Sequence, residues 1–251
     1  MTVLAIFGPT GVGKTGVAIA LAELLRERGE DPVAINCDAL QVYEGLGVLT
    51  GAPSAEERTR LEHRLLGFVP VTSDFSVGDY MPLAHREVDE ALAAGRTPIV
   101  VGGTGLYLRA ALADLSLRKV PPESGDSELW SPETRHPTTI LGLEMDRAQL
   151  YERIDARAAA IAAAGAIDEA RAADALGSGR TARKALGFDE VLAGDVAGMQ
   201  KRSRNYARRQ LTWMRKIPNL TKINRTELSD QDVAVEISRV VRGSSLHRRS
   251  V

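Results

Sequence analysis

The chain has a single cysteine, Cys37, and only four histidines, which lie far apart at positions 63, 85, 136 and 247. One thiol cannot close an internal disulfide, and the histidines do not have the spacing of metal ligands. These absences exclude a disulfide scaffold and a histidine-rich metal centre. They favour a reducing compartment, which we expect to be the cytoplasm.

Long apolar runs are absent as well. No stretch approaches the ~20 apolar residues that a membrane-spanning helix needs, and the first apolar run ends at Gly8 with no basic segment before it. We therefore expect neither secretion nor membrane insertion.

Charge of one sign is not in excess, since 32 Lys and Arg stand against 33 Asp and Glu. With 251 residues, 44% of them hydrophobic, one large domain or a domain with an appendage is expected.

Short apolar runs alternate with segments of helical periodicity. Strands are predicted at residues 3–7, 33–36, 98–101 and 138–143, and helices at 13–28 and 81–94. From residue 147 onward helices dominate, with predicted spans 150–163, 167–175, 181–192 and 198–216, and residues 242–251 are predicted to form a frayed tail. Alternating strands and helices predict an α/β fold, in which helices flank a parallel sheet.

The pattern is interrupted by a polar, proline-marked stretch between residues 117 and 137. We divide the chain there. Residues 1–117 form the first part of the core, 118–137 a linker or the remnant of an insertion, 138–226 the completion of the core with C-terminal helices, and 227–251 a terminal helix and tail.

A glycine-rich loop joins the first predicted strand to the first predicted helix. It reads Gly8, Pro9, Thr10, Gly11, Val12, Gly13, Lys14, Thr15, which fits G-x-x-x-x-G-K-[ST] in the required strand-to-helix context. Backbone N–H groups of such a loop surround a diphosphate, Lys14 reaches its outer phosphate, and the Thr15 hydroxyl can ligate Mg²⁺. A phosphate-binding site, of the kind common in ATP-binding proteins, is predicted here.

Proteins with this loop usually carry a metal-binding Asp at the end of another buried strand. The run at 97–101 instead enters Gly102, Gly103 and Thr104 without an acid, and the acid follows the second strand as Asp38. In a parallel sheet both positions lie at the carboxyl edge, beside the loop. Asp38 is therefore a candidate metal ligand or general base, and a simple turn or helix cap is the alternative.

A basic segment follows near the C-terminus. Residues 196–226 hold nine Lys and Arg residues and no Asp or Glu. Lys201, Arg204, Arg208 and Arg215 recur at helical spacing, whereas Tyr206, Trp213 and Ile217 can form an apolar stripe elsewhere on the helix. This pattern indicates a helix docked on the core with arginines free to meet phosphates, although a solvated surface helix has the same pattern.

Together these segments resemble one family, the tRNA dimethylallyltransferases, also called tRNA isopentenyltransferases. The resemblance rests on the loop at 8–15, Asp38 with residues 41–43 (Gln-Val-Tyr), 102–107 (Gly-Gly-Thr-Gly-Leu-Tyr), 150–157 (Leu-Tyr-Glu-Arg-Ile-Asp-Ala-Arg), 184–188 (Lys-Ala-Leu-Gly-Phe) and 206–213 (Tyr-Ala-Arg-Arg-Gln-Leu-Thr-Trp). The order is kept along most of the chain.

The resemblance implies transfer of a dimethylallyl group from dimethylallyl diphosphate to N6 of the adenine 3′ of the anticodon, with Mg²⁺ and release of pyrophosphate. It implies a P-loop NTPase-like core, Asp38 as the base, Thr104 and Lys14 as further catalytic residues, and Thr15 as the metal ligand. Arg204 and Arg209 would join the loop at 8–15 in binding diphosphate. The implied contacts with the tRNA anticodon stem-loop are Asp38, Ala39, Leu40, Gln41, Thr104, Lys184, Ala185, Leu186, Gly187 and Phe188. We expect a monomer.

The chain also departs from the family. Ala39 stands where the family usually has Ser, and a helical insertion that closes over the tRNA cannot be found near residues 118–125. Three other interpretations therefore stay open: a prenyltransferase for free adenine nucleotides, a P-loop nucleotide kinase or ATPase, and an RNA-binding protein without catalysis. The basic helix argues against the first, the missing strand-end acid against the second, and Lys14, Thr15, Asp38 and Thr104 against the third.

Overall fold

A six-stranded, fully parallel sheet forms the centre of the molecule. A computed structural model describes residues 2–116 and 128–247. The strands are β1 (Val3–Phe7), β2 (Pro32–Asn36), β3 (His63–Arg64), β4 (Thr97–Gly102), β5 (Thr138–Glu144) and β6 (Leu220–Asn224). They lie in the order β3-β2-β4-β1-β5-β6, and β1 pairs with both β4 and β5. Every residue of β1 and β2 is buried, as expected of central parallel strands.

Ten α-helices surround this sheet in the described part of the chain. They are α1 (Lys14–Arg26), α2 (Gly47–Thr50), α3 (Ala55–Arg60), α4 (Val77–Ala93), α5 (Gly105–Leu112), α6 (Arg147–Ala163), α7 (Ala166–Ala175), α8 (Phe188–Leu192), α9 (Val196–Met214) and α10 (Asp230–His247). Short 3₁₀ turns cover Glu128–Trp130 and Ala182–Lys184. Within the described ranges, no helix is long and apolar enough to cross a membrane.

Three apolar clusters hold the layers together. The first joins one face of the sheet to α1 and α10, and the second joins the other face to α4 and α5. The third lies apart from these, where α2, α7 and α8 pack around Tyr43 and Phe188. Burial of apolar surface on both faces fixes the sheet, and the carboxyl ends of its strands share one edge.

The predicted strands and most predicted helices are present with small shifts of their ends. The helix predicted at 81–94 begins four residues earlier, because Ser76 and Asp79 form a reciprocal capping box at its start. The α/β class with a parallel sheet and flanking helices is confirmed.

Two predicted spans were wrong, and the edge strands β3 and β6 were missed. The single helix expected at 181–192 is a 3₁₀ turn followed by α8, because Gly187 takes a left-handed φ of +90° between them. The tail expected from residue 242 is helical through His247. Strand β6 was not predicted, because it is a polar edge strand in which only Ile223 is buried. The predicted linker at 118–137 lies mostly outside the described residues.

Candidate active site

The phosphate loop lies between β1 and α1, at the carboxyl edge of the sheet. Gly11 and Gly13 have φ values of +81° and +90°, a conformation that only glycine adopts at no steric cost. Val12 is fully buried, and a Cβ on Gly8 would lie 3.0 Å from its side chain. The loop therefore turns tightly against the core and directs the N-terminus of α1 into the cleft described below.

Lys14 is the first residue of α1. Its Nζ donates hydrogen bonds to the carbonyl oxygens of Gly8 and Pro9, both at 3.0 Å. Burial lowers the pKa of Lys14 to about 8, and the carboxylate of Asp38 acts in the opposite direction. A phosphate oxygen would have to compete with the two carbonyl oxygens for this ammonium group.

Asp38 follows β2. Its backbone N–H donates to Oδ1 of Asn36 at 3.1 Å, and its own Oδ1 accepts the N–H of Leu40 at 3.0 Å. The carboxylate thus stabilises the turn, as the alternative interpretation of this residue expected. It also lines the same cleft as Lys14 and Thr15. A hydrogen bond through one oxygen leaves the carboxylate able to accept a proton.

Thr104 precedes α5 and is linked to Asp38 through the backbone. Its Oγ1 accepts the N–H of Ala39 at 3.2 Å and lies 3.4 Å from the hydroxyl of Tyr206. Burial raises the pKa of Tyr206, so its hydroxyl stays protonated at neutral pH. Thr104 therefore supports the segment that carries Asp38 but does not itself line the cleft.

Helix α9 approaches this edge of the sheet very closely. A Cβ on Gly103 would overlap the side-chain amide of Gln210, and a Cβ on Gly105 would overlap the indole ring of Trp213. Gln210 donates to the carbonyl oxygen of Gly103 at 2.8 Å and accepts the N–H of Thr10 at 2.8 Å. Gly103 and Gly105 are thus required by close packing against α9.

One large cleft, of about 510 Å³, opens along the carboxyl edge. Seven predicted site residues besides Lys14 and Asp38 line it: Thr10, Gly11, Gly13, Thr15, Leu40, Gln41 and Leu186. Gln41 donates to the carbonyl oxygen of Gly51 at 3.2 Å. The cleft therefore brings the phosphate loop and the Asp38 segment to a common space.

Two arginines of α6 line the cleft, and no role was predicted for them. Arg153 donates to the carbonyl oxygen of Gly11 at 3.1 Å, and Arg157 donates to that of Gly51 at 2.7 Å. Burial lowers the pKa of both, yet a guanidinium remains charged at any physiological pH. Their spacing of four residues places them on one helix face, which was a usable signal.

Arg204 and Arg209, predicted to bind diphosphate, do not line this cleft. Arg204 forms an ion pair with Asp155 of α6. Arg209 is exposed, stacks over the ring of Tyr206 at 5.4 Å and borders a separate groove with Arg208 and Trp213. Their role in binding diphosphate stays a prediction.

The segment at 184–188, predicted to contact tRNA, lies between the 3₁₀ turn and α8. Ala185 and Phe188 are fully buried, Leu186 lines the cleft, and Lys184 is exposed. Gly187 contacts Met199 of α9. Two of the five side chains are therefore available to a ligand, and the others support the turn.

In the described ranges, no three His, Cys, Asp or Glu side chains converge as a metal cage would require. Thr15 and Asp38 nevertheless line one cleft, and their side chains carry oxygen atoms of the type that ligates Mg²⁺. Mg²⁺ is commonly held in this way, by one or two protein oxygens together with substrate phosphates and water.

The fold and the cleft define the class: an α/β protein of the P-loop type, whose phosphate loop faces a carboxylate across the carboxyl edge of the sheet. A family model described as IPP transferase matches residues 41–131 and 119–217, and one described as isopentenyl transferase matches residues 1–73. The chain belongs to the tRNA dimethylallyltransferase family. The resemblance expected from its motifs is thereby confirmed.

Comparisons with individual relatives support this family assignment. The tRNA dimethylallyltransferase of Thermobifida fusca is 32% identical, covering 87% of this chain and 88% of its own length. That of Rhodospirillum centenum is 36% identical, covering 85% of this chain and 88% of its own length. The solved tRNA isopentenylpyrophosphate transferase of Bacillus halodurans has 27% identity and a TM-score of 0.82, covering 98% of this chain and 99% of that one. A eukaryotic dimethylallyltransferase structure, at 20% identity and a TM-score of 0.76, shares the fold.

This chain lacks positions that one of these relatives has. The alignment with the Thermobifida fusca protein is 282 positions long, but this chain fills only about 218 of them, so about 64 positions fall opposite gaps in this chain. The two stretches matched by the IPP transferase model meet at residues 119–131. This is where the sequence predicted a reduced insertion.

Proposed function

We propose that this protein transfers a dimethylallyl group from dimethylallyl diphosphate to N6 of the adenine 3′ of the anticodon in tRNA. The observation that carries the proposal is the shared cleft in which the phosphate loop, the Asp38 carboxylate and two arginines meet. The phosphate loop alone would suit a kinase or ATPase equally well. Family membership supplies the substrate class.

The diphosphate fits the cationic end of the cleft. The N-terminus of α1, Lys14, Arg153 and Arg157 supply positive potential there. As the C1–O bond breaks, negative charge grows on the departing pyrophosphate, and these fixed donors stabilise it. The apolar side chains of Val48, Leu49, Ile161, Leu186 and Met199 line the remaining wall and suit the prenyl group.

Asp38 is proposed to accept the proton of the adenine amine. When the N6–C1 bond forms, N6 becomes positively charged and must lose one proton, which the carboxylate can take. Thr104 would hold this segment through its hydrogen bond to the N–H of Ala39. An adenine in an anticodon loop must leave its stack to reach such a cleft, and loop bases are the easiest to extrude.

Mg²⁺ is proposed to bind with the diphosphate. When bound, it would neutralise phosphate charge, and Thr15 would supply the protein ligand. The Thr15 hydroxyl lies at the start of α1 and lines the cleft, which suits a metal shared with substrate oxygens. The sparse protein donor set is thus compatible with the expected cofactor.

The tRNA itself is proposed to meet the cleft through residues 38–41 and through Lys184 and Leu186 of the 184–188 turn, with Thr104 supporting the Asp38 segment. We propose that the protein is a monomer and acts in the cytoplasm with its tRNA substrate. The exposed cations of α9, among them Arg208 and Arg209, would add attraction for the phosphate backbone.

The proposal is tested by supplying labelled dimethylallyl diphosphate and Mg²⁺ with unmodified tRNA that has adenine 3′ of the anticodon. AMP and ATP are offered in parallel reactions. Label in tRNA is expected. Label only in AMP would replace this function with adenine nucleotide prenylation, ATP turnover without transfer would replace it with a kinase or ATPase, and tRNA binding without any transfer would leave only RNA binding.

A further inference from the structure

Gln210 is a buried polar side chain at the cleft. It lies on α9, it is 3% exposed, and it makes two hydrogen bonds of 2.8 Å to segments that are distant in sequence. One partner is the N–H of Thr10 in the phosphate loop. The other is the carbonyl oxygen of Gly103, which follows β4.

An amide of this length satisfies both partners. The Gln side chain presents one acceptor and one donor in a single plane, and here the acceptor meets an N–H while the donor meets a C=O. The bond to Gly103 is buried and the bond to Thr10 is partly buried, so the loss of either would leave a polar group with little access to water unsatisfied. Gly103 allows the approach, because a Cβ there would overlap the Gln210 amide.

These bonds commit the Thr10 N–H to the protein. A diphosphate must therefore be bound by the later amides of the loop, whose position depends on where Thr10 is held. One turn earlier on α9, the Tyr206 hydroxyl approaches Thr104, which in turn holds the N–H of Ala39 next to Asp38. Helix α9 thus touches both halves of the site.

We propose that Gln210 is a positioning residue that holds the phosphate loop at a fixed distance from the Gly103–Thr104 segment and so from Asp38. The inference rests on the proposed function for its effect on transfer, but its effect on the loop is independent of that function. Misplacement of a leaving group by about 1 Å can lower a rate by about 10²-fold.

The first test is Gln210→Met, which keeps the length and removes both hydrogen bonds. We expect the Kd for inorganic pyrophosphate to rise about tenfold, as for the loss of one net hydrogen bond. The kcat for prenyl transfer should fall by more than KM changes. Gln200→Met is the matched control, because Gln200 lies on the same helix and donates only to the carbonyl oxygen of Asp155. It should leave pyrophosphate affinity within about twofold.

Gln210→Glu adds a readout that a merely structural role would not produce. A protonated carboxyl can donate to Gly103 and accept from Thr10, whereas the ionised form repels the Gly103 oxygen. The ratio of the variant's pyrophosphate Kd to that of the wild type should therefore approach one as pH falls. In Gln210→Met this ratio should not change with pH.

A measurement on the wild type keeps the inference testable if the variants do not fold. The Thr10 amide proton should exchange with solvent at least about tenfold more slowly than in an unfolded peptide, since Gln210 shields it. Fast exchange of this proton would overturn the proposal. So would an unchanged pyrophosphate Kd in folded Gln210→Met. Absence of transfer to tRNA by the wild-type protein, with the loop readouts as expected, would instead count against the proposed function alone.

Discussion

Replacement of Asp38 by asparagine tests the chemistry of the cleft with the least structural disturbance. The new amide side chain would keep an oxygen in the place where Oδ1 of Asp38 now accepts the Leu40 N–H at 3.0 Å. The turn after β2 should therefore persist, and we expect the unfolding free energy to change by less than about 1 kcal/mol. The amide cannot accept a proton at neutral pH.

The expected loss follows from the role of a general base, which contributes about 10²- to 10⁴-fold. At 1.36 kcal/mol per tenfold, the barrier to transfer should rise by about 2.7–5.4 kcal/mol. Binding of pyrophosphate should be retained, because Lys14, Arg153 and Arg157 are untouched. Asp38 raises the pKa of Lys14, so the substitution lowers it below about 8, and the assay is best run at pH 7 or less.

The assay is single-turnover transfer from labelled dimethylallyl diphosphate to tRNA, with pyrophosphate binding measured by calorimetry on the same preparations. Asp168→Asn serves as the matched control, because Asp168 is exposed in the first turn of α7, outside the cleft. A transfer rate for Asp38→Asn within about threefold of the wild type, with the control unchanged, would refute the assignment of Asp38 as the base, since a general base contributes far more than that.

Two further predictions concern the packing beneath the site. Gly102→Ala should lower the unfolding free energy by about 1–3 kcal/mol in urea titrations, because its Cβ would lie 2.5 Å from the backbone of Cys37. Gly243→Ala, in the open on α10, should not destabilise the protein, and equal effects of the two would contradict the clash. Burial raises the pKa of the Cys37 thiol well above its unfolded value of about 8.5, so stability should fall as pH rises beyond about 8.5, by up to about 1.4 kcal/mol per pH unit. Cys37→Ala should show a shallower slope, and identical slopes would oppose this linkage.

Local signals in the sequence were sufficient for four of the six strands and for the phosphate loop. Apolar runs such as 3–7 mark buried strands, and the spacing of Gly8, Gly13 and Lys14 marks the loop. Strand β6 could not be predicted in this way. Its residues are mostly exposed, and it is a strand only because β5 offers an unpaired edge, which is a tertiary fact.

The site was only partly predictable for a similar reason. Residues in consecutive motifs reach the cleft by the topology of parallel strands, so Lys14 and Asp38 could be placed together from the sequence. Arg153 and Arg157 reach it because α6 passes over the phosphate loop, and Arg204 is engaged instead by Asp155 on that helix. Helix packing decides which of the arginines reach the cleft. This packing cannot be predicted from the spacing of residues along the sequence.

The connection between α5 and β5, where the sequence predicts a reduced insertion, need not disturb this arrangement, because its downstream end is anchored to the core. Arg109 of α5 is fully buried, and its guanidinium donates to the carbonyl oxygens of Leu129 at 2.9 Å and Ser131 at 2.8 Å. Such a cation is costly to bury, so these bonds are needed and hold the chain that leads into β5. None of the described residues that line the cleft belongs to this connection. A chain in which about 64 aligned positions fall opposite gaps can therefore keep its proposed diphosphate site, and any effect of the missing positions should fall on tRNA affinity.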